Sequence, residues 1–261
     1  MTQASANVNL MIKAARRAAR NLLRDFGEIE NLQASNRGPA DFADRARSKA
    51  LRGLREELTE ARPNYGWRDA DGGSADGEDP TRRWMVDPLD GAANFLHGLP
   101  HWAISIALEH KKEIVAAVIY DAASDEMFVS EKGAGAFLND RRLRVSGQRD
   151  MADMVFGASM ARAGDLGGMM AGIAAVVPRA AGARQFGAPA LDMAFVAAGR
   201  LDGCWALGAS AATVAAGDLI VRESGGFYGP IPDTEKPPVE KGVAAASAEA
   251  FEGLRAALRS A

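Results

Sequence analysis

Residues Trp84 to Gly98 read WMVDPLDGAANFLHG, and the fold turns on how that run is built. An apolar strand, Trp84-Met85-Val86, leads into Asp87 and Asp90, separated by Pro88 and Leu89, and Gly91 then opens a helical stretch. If the strand breaks into a turn at Pro88, both carboxylates aim at one point and the Leu89 carbonyl joins them. Hard oxygen ligands of this kind suit Mg²⁺. The N–H groups of Gly91 and Ala92 at the helix start would face an anion, favoured by the helix dipole. Spacing alone leaves a plain turn equally open, because Asp-Pro and Asp-Gly are common turn dipeptides.

Outward from this run, helical and strand patterns alternate. In NVNLMIKAARRAARNLLRDF, Val8, Met11, Ala15, Leu22 and Phe26 recur at near-helical spacing. The segment is Arg-rich and acid-poor like a transit peptide, but its periodicity and lack of a cleavage-like break make it a first helix with a solvated basic face. After the Gly38-Pro39 break, Asp41 is placed to cap a second helix running through Arg47, Leu51 and Leu54 to Leu58. Asp69 to Arg83, DADGGSADGEDPTRR, has no periodicity and reads as a mobile surface loop. SIALEH, EIVAAVIYDA and DEMFVSEKGAGAFLND then form an antiparallel meander. Residues 1–149 are thus an N-terminal α+β half.

Residues 150–261 read as an α/β half, richer in alanine and glycine. MVFGAS and ARQFG are short strands, PALDMAFVAAGRLDG is a helix ended by Gly203, and AATVAAGDLIVRESGG is a helix ended by Gly225. PIPDTEKPPVEK is irregular, and no internal repeat is apparent.

A chain of 261 residues with 48% hydrophobic and 25% charged residues buries a substantial core. The net charge of -3 gives no overall basic field for nucleic acid or membrane, although local patches remain open. The single cysteine, Cys204, excludes an intramolecular disulfide and a cysteine-based metal cluster; with no basic neighbour in sequence it reads as a small buried residue. No apolar run approaches the roughly 20 residues that span a bilayer, and a cytoplasmic location is expected. His97 and His101 are four apart, but Gly98 and Pro100 interrupt any helix between them, so they read as core or turn histidines rather than metal ligands.

DPLDGAANFLHGLPHWAISIALE resembles the D-P-L-D-G-T-x-N-F signature of the inositol monophosphatase family. NLQASNRGPADF, ARPNYGW, GAFLNDRRLRVS, ALDMAFVAAGRLDGCW and VAAGDLIVRESGG look like further family segments in family order. The resemblance spans nearly the whole chain. It implies an α/β (α+β) fold, the layered αβαβα sandwich of Mg²⁺-dependent, lithium-sensitive sugar phosphatases, usually homodimeric. In that family metal-activated water hydrolyses a phosphate monoester, and a Thr paired with an Asp orients the water.

Position by position, the resemblance carries over only in part. Asp87, Leu89 and Asp90 match metal ligands, and Gly91 and Ala92 match the anion-facing turn, but Ala92 stands at the signature threonine. Arg47 stands where the pattern D-F-V-x-x-x-D has an aspartate. Ala70 replaces the first glutamate of G-E-E-S, Thr213 the aspartate of W-D-x-A-A-G, and Ala206 a substrate-facing glutamate. Asp44, three residues before Arg47, is the best acid to compensate; Asp218 is rotated off the ligand face, and Asp69 and Asp71 would need their loop ordered. A guanidinium about 5 Å from a carboxylate is worth roughly 3 kcal/mol at an effective dielectric near 20, so Arg47 is expected to pair with Asp87 or Asp90 and compete with Mg²⁺.

The expectation is therefore a pseudo-phosphatase with no catalytic residue and no cofactor, Mg²⁺ entering only if activity remains. Its partners would be a second copy of the chain, a regulatory protein or a phosphate-like anion, with no membrane and no direct nucleic-acid signature. One bacterial relative in the family is associated with transcription antitermination without needing phosphatase activity. The alternative is a weak Mg²⁺-dependent phosphate monoester hydrolase acting on inositol phosphate or a related sugar phosphate through Asp87, Asp90 and recruited acids.

Overall fold

The computed structural model of the chain describes residues 4–29, 39–160, 166–231 and 242–259, without the side chains of 39–41. The segment NLQASNRGPADF and the proline-rich loop after Ile231 fall largely outside the described residues. So does the side chain of Asp41, although the helix itself begins at Pro39, which puts Asp41 inside its first turn.

Two long helices, α1 (Ala6–Gly27) and α2 (Pro39–Ala61), form the first layer. Ser5 caps α1, its hydroxyl accepting from the Val8 N–H, and Val8, Met11, Ala15 and Leu22 are buried as their spacing requires. Both helices cover one face of an eight-stranded sheet made of β1 (Tyr65–Asp69), β2 (Ser74–Ala75), β3 (Asp79–Asp90), β4 (Ala103–His110), β5 (Glu113–Asp121), β6 (Glu126–Glu131), β7 (Gly135–Leu138) and β8 (Arg141–Arg142). Its order is β2-β1-β3-β4-β5-β6-β7-β8, and β3 to β8 are the antiparallel meander.

The stretch read as a mobile loop from Asp69 to Arg83 is different in the structure. β1 pairs parallel to β3 and antiparallel to β2, and β3 begins at Asp79. The Asp69 carboxylate organises the tight turn, accepting from the N–H groups of Asp71 and Gly73 and from the Trp67 indole. Side-chain bonds to the backbone thus supply order that no periodicity announces.

A short helix α3 (Ala92–Leu96) follows β3. In the second half, β9 (Val155–Met160), α4 (Leu166–Val176), β10 (Gly182–Arg184), α5 (Pro189–Ala197), β11 (Gly203–Leu207), α6 (Ala211–Glu223), β12 (Phe227–Pro230), β13 (Val243–Ala246) and α7 (Ala248–Arg259) build a five-stranded sheet of order β10-β9-β11-β13-β12 with its helices. Gly203 does not end α5 as expected. Gly199, at φ 69°, takes the left-handed position after the helix, and Gly203 starts β11. Gly225, at φ 92°, does follow α6.

Alternation along the central strands sets the layers. Ile104, Ile106 and Leu108 face α1 and α2, whereas Ala103 and Ala107 face the opposite side. There α5 and α6 lie between the sheets, in one core cluster that joins Ala103, Ala117 and Ile119 to Leu191, Val214, Cys204 and Val243. The outer face of the small sheet is covered by α4 and α7. The result is the αβαβα sandwich, with large residues toward the outer helices and alanines where the inner helices approach closely.

Candidate functional site

The run that decided the fold is the end of β3 in the large sheet and the turn into α3. Pairing of β3 with β4 slips between Asp87, opposite Ser105, and Asp90, opposite Ala103. Three steps of β3 therefore face two of β4, a bulge at the proline, which has no N–H for the ladder. β3 runs on through Pro88 to Asp90 where a break into a turn was expected, and the bulge aims the two carboxylates and the Leu89 carbonyl.

Gly91 follows at φ 81°, and a Cβ there would stand 2.7 Å from the His101 carbonyl, so only glycine fits.

Asp87 and Asp90 are 4% and 3% exposed, and their partners come from distant segments. Asp90 Oδ2 accepts from the N–H groups of Ala190 (2.9 Å) and Leu191 (3.1 Å) at the start of α5. Burial, then the neighbouring Asp87, pushes the Asp90 carboxyl well above the ordinary range in spite of those two donors. Asp87 Oδ2 accepts from the Thr213 hydroxyl at 2.7 Å, and Asp87 Oδ1 from the Leu89 N–H at 3.1 Å. Thr213 is held in turn by Ser210, which caps α6 and lies 2.9 Å from its hydroxyl. Ser105 donates to the Thr213 carbonyl.

Arg47 reaches into this space from α2. Its Nη1 donates to the Leu89 carbonyl at 2.7 Å, its Nε to Asp71 Oδ1 at 2.7 Å, and its Nη2 lies 2.6 Å from Asp71 Oδ1 and 3.2 Å from Asp87 Oδ1. Burial opposes the charge, but Asp87, Asp71 and Asp90 outweigh it and raise the guanidinium pKa above its usual value.

A cavity of about 270 Å³ opens beside these groups. Arg47, Ala70, Asp87, Leu89, Asp90, Gly91, Ala92 and Thr213 all line it, so residues singled out from four separate segments converge. Ala206 does not line it; its methyl group is packed in the inter-sheet core, 2% exposed. Asp44 is exposed and absent from the lining, so the expected compensating acid is misplaced: its Cα shares the helix side of Arg47 but its side chain points to solvent. Asp218 pairs with Arg222, away from the cavity, as its rotation predicts.

Sequence reasoning missed Ser210, although a serine three residues before Thr213 at a helix start is a legible cap signal. It also missed Met160, Gly187 and Pro189 of the lining, which carry no local signal. His97 bonds the Ala93 carbonyl, and His101 stacks on Phe186 with its Nε2 3.4 Å from Asp192, a carboxylate 91 residues away. Asp192 is fully buried and also accepts from Ser159; burial raises its pKa against the opposing effect of His101. Burial likewise pushes the Cys204 thiol well up.

A model of the inositol monophosphatase family matches residues 4–261. The chain belongs to the inositol monophosphatase family. An inositol-1-monophosphatase of Mesorhizobium japonicum is 49% identical over 225 residues, 85% of each chain. The Nus factor SuhB of Xylella fastidiosa is 37% identical over 222 residues, 84% of this chain and 80% of that one. Among solved structures, the extragenic suppressor protein SuhB of Bartonella henselae superposes with a TM-score of 0.88 at 40% identity, covering 98% of this chain and 100% of that one. The fold described above is thus that of the inositol monophosphatase family, and its bulged Asp-Pro-Leu-Asp strand end lines this chain's cavity.

Proposed function

We propose that this member of the inositol monophosphatase family binds at its cavity without hydrolysing, as a cytoplasmic pseudo-phosphatase that pairs with a second copy of itself. The observation that carries this reading is the position of Arg47, whose guanidinium engages the Leu89 carbonyl and Asp87. The residues present do not fit Mg²⁺, which demands near-octahedral oxygen coordination. Asp87 spends one oxygen on Thr213 and the other on Arg47 and the Leu89 N–H, and the Leu89 carbonyl is taken by Arg47. Among the described residues no group of three or more His, Cys, Asp or Glu is placed to hold a metal. Ala92 has no hydroxyl to orient a water.

The chemistry that remains is recognition. Arg47, the hydroxyls of Ser210 and Thr213, and the turn at Gly91 and Ala92 border a space of a size for a phosphate-like anion. The Nus factor relatives support a regulatory protein partner as the reader of that state. The relatives named inositol-1-monophosphatase, 49% and 48% identical, favour a second reading, a weak Mg²⁺-dependent hydrolase of inositol phosphate.

Phosphate release from inositol phosphate by purified protein, with Mg²⁺ and with added Li⁺, separates the two. The expected result is no metal-dependent release above background; lithium-sensitive turnover of order 1 s⁻¹ would overturn the binding reading.

A further inference from the structure

Apart from Arg47, the outermost helix layer takes no part in the cavity. On α1, residues 8–24 carry Lys13, Arg16, Arg17, Arg20 and Arg24 with no carboxylate among them; on α2, residues 45–55 carry Arg45, Arg47, Lys49, Arg52 and Arg55, again with none. Arg47 turns inward, and the other nine are exposed. Arg62 bonds Asn7, and Lys13 and Arg17 bridge to Glu57, so the helices run antiparallel and the Arg20–Arg24 end of α1 lies beside the Arg45–Arg52 end of α2. Both helices press their apolar sides on the large sheet, which leaves these cations on one outward face.

Four of the nine have local roles. Lys13 and Arg17 serve Glu57, Arg24 serves Asp25, and Arg55 lies over the Trp67 ring. Arg16, Arg20, Arg45, Lys49 and Arg52 make no ion pair among the described residues. Like charges gathered in this way repel one another and destabilise the compact state. They are not a by-product of composition either: residues 1–62 hold twelve Lys and Arg against eight Asp and Glu, in a chain whose net charge is -3.

We infer that the outer face of α1 and α2 is a docking surface for the phosphodiester backbone of a nucleic acid. From Lys13 to Arg24 the row of cations rises about 16 Å, and the second row lies roughly 8–10 Å away, so the two rows together meet several phosphates. Seven of the nine cations are arginines, whose planar fork matches phosphate oxygens. A protein partner would need an aromatic or apolar anchor, and firm membrane binding would add an inserted apolar helix face to the attraction of the cations for anionic lipid. The one large hydrophobic residue exposed on either helix, among the described residues, is Leu23 at 38%. With no exposed aromatic on either helix among the described residues to stack on bases, contact is to the backbone and independent of sequence.

The test is fluorescence anisotropy of labelled 20-nucleotide RNA, in two unrelated sequences, and of a DNA duplex, each titrated with full-length protein at several salt concentrations. Five neutralised phosphates give a slope of log affinity against log salt of about -3.5 on single strands and about -4.5 on the duplex. Replacing Arg16, Arg20, Arg45, Lys49 and Arg52 by Gln together should weaken binding by more than about 100-fold at 0.1 M salt. Replacing the exposed Lys111, Lys112, Arg141 and Arg179 by Gln, a change of nearly the same net charge elsewhere, should cost less than about threefold. All nine substituted and control positions are on the surface, and thermal melts of both variants check that each folds. No binding by the wild type, equal losses in the two variants, or binding to phosphatidylglycerol vesicles in place of RNA and DNA would each overturn the proposal.

Discussion

Replacing Arg47 by methionine keeps much of its length and removes its charge, and the structure sets what that should cost. The Arg47 side chain is 19% exposed and bridges the side chains of Asp71, 41% exposed, and Asp87, 5% exposed. Removing one member of a buried pair costs about 3–5 kcal/mol because the other charge stays behind. The solvent-screened Asp71 half contributes about 0–1 kcal/mol. Asp87 keeps the Thr213 hydroxyl and the Leu89 N–H, which holds the total near the lower bound, about 3 kcal/mol. At about 2–4 °C per kcal/mol for a chain of this size, Arg47→Met should melt about 6–12 °C below the wild type. Thermal unfolding followed by circular dichroism at pH 7, with and without 10 mM Mg²⁺, is the assay. Mg²⁺ should leave the wild type unmoved and raise the melting temperature of Arg47→Asp, since only binding to the native state stabilises it. An Arg47→Met protein melting within about 1 °C of the wild type would refute the bridging role, as would a wild type raised several degrees by Mg²⁺.

Thr213→Val removes the donor to Asp87 Oδ2 and should cost about 1–3 kcal/mol by urea denaturation. Gly91→Ala forces a Cβ to 2.7 Å from the His101 carbonyl at φ 81° and should cost more than about 2 kcal/mol on the same measurement. Asp90→Asn keeps an acceptor for the Ala190 and Leu191 N–H groups and removes a buried charge beside Asp87. Because the folded pKa of Asp90 lies above its unfolded value, the ionised group costs nothing below about pH 3.9, and its penalty grows as pH rises through the folded pKa. Melting curves of Asp90→Asn and wild type should therefore coincide near pH 3 and separate in favour of the variant by pH 7. Ala92→Thr alone should restore no phosphatase activity; recovery, read as phosphate release, should need Arg47→Asp, Ala70→Glu and Thr213→Asp with it.

Local pattern made much of the fold legible. The heptad-like burial of Val8, Met11, Ala15 and Leu22, the turns of the meander and the glycine after α6 are each set by neighbours in sequence. Where order comes from one side chain holding distant backbone, as Asp69 does for Asp71 and Gly73, composition suggests a loose loop instead. Gly199 and Gly203 are equally good helix stops on paper, and pairing of β11 with β9 decides between them. In the site, the reach of Arg47 toward Asp87 followed from motif positions, but its bond to the Leu89 carbonyl did not, and its tightest partner, Asp71, depends on the turn that sequence left open. Ala206 was placed near the cavity by motif and lies in the core, because burial between two sheets is set by strand register that no local pattern encodes.

The donors to Asp90 arrive late in the life of the chain. Asp90 and Ala190 are 100 residues apart, and Thr213, which serves Asp87, follows Asp87 by 126. At roughly 5–20 residues per second of synthesis, the end of β3 waits about 5–20 s on the ribosome for the first of these partners. Once residue 142 has been made the eight-stranded sheet has all its strands, but it still carries two acids whose buried bonds do not yet exist. Its inner face, lined with alanines, therefore stays wet until α5 and α6 emerge, and a nascent chain stalled before residue 189 should be held by chaperones rather than released as a folded half.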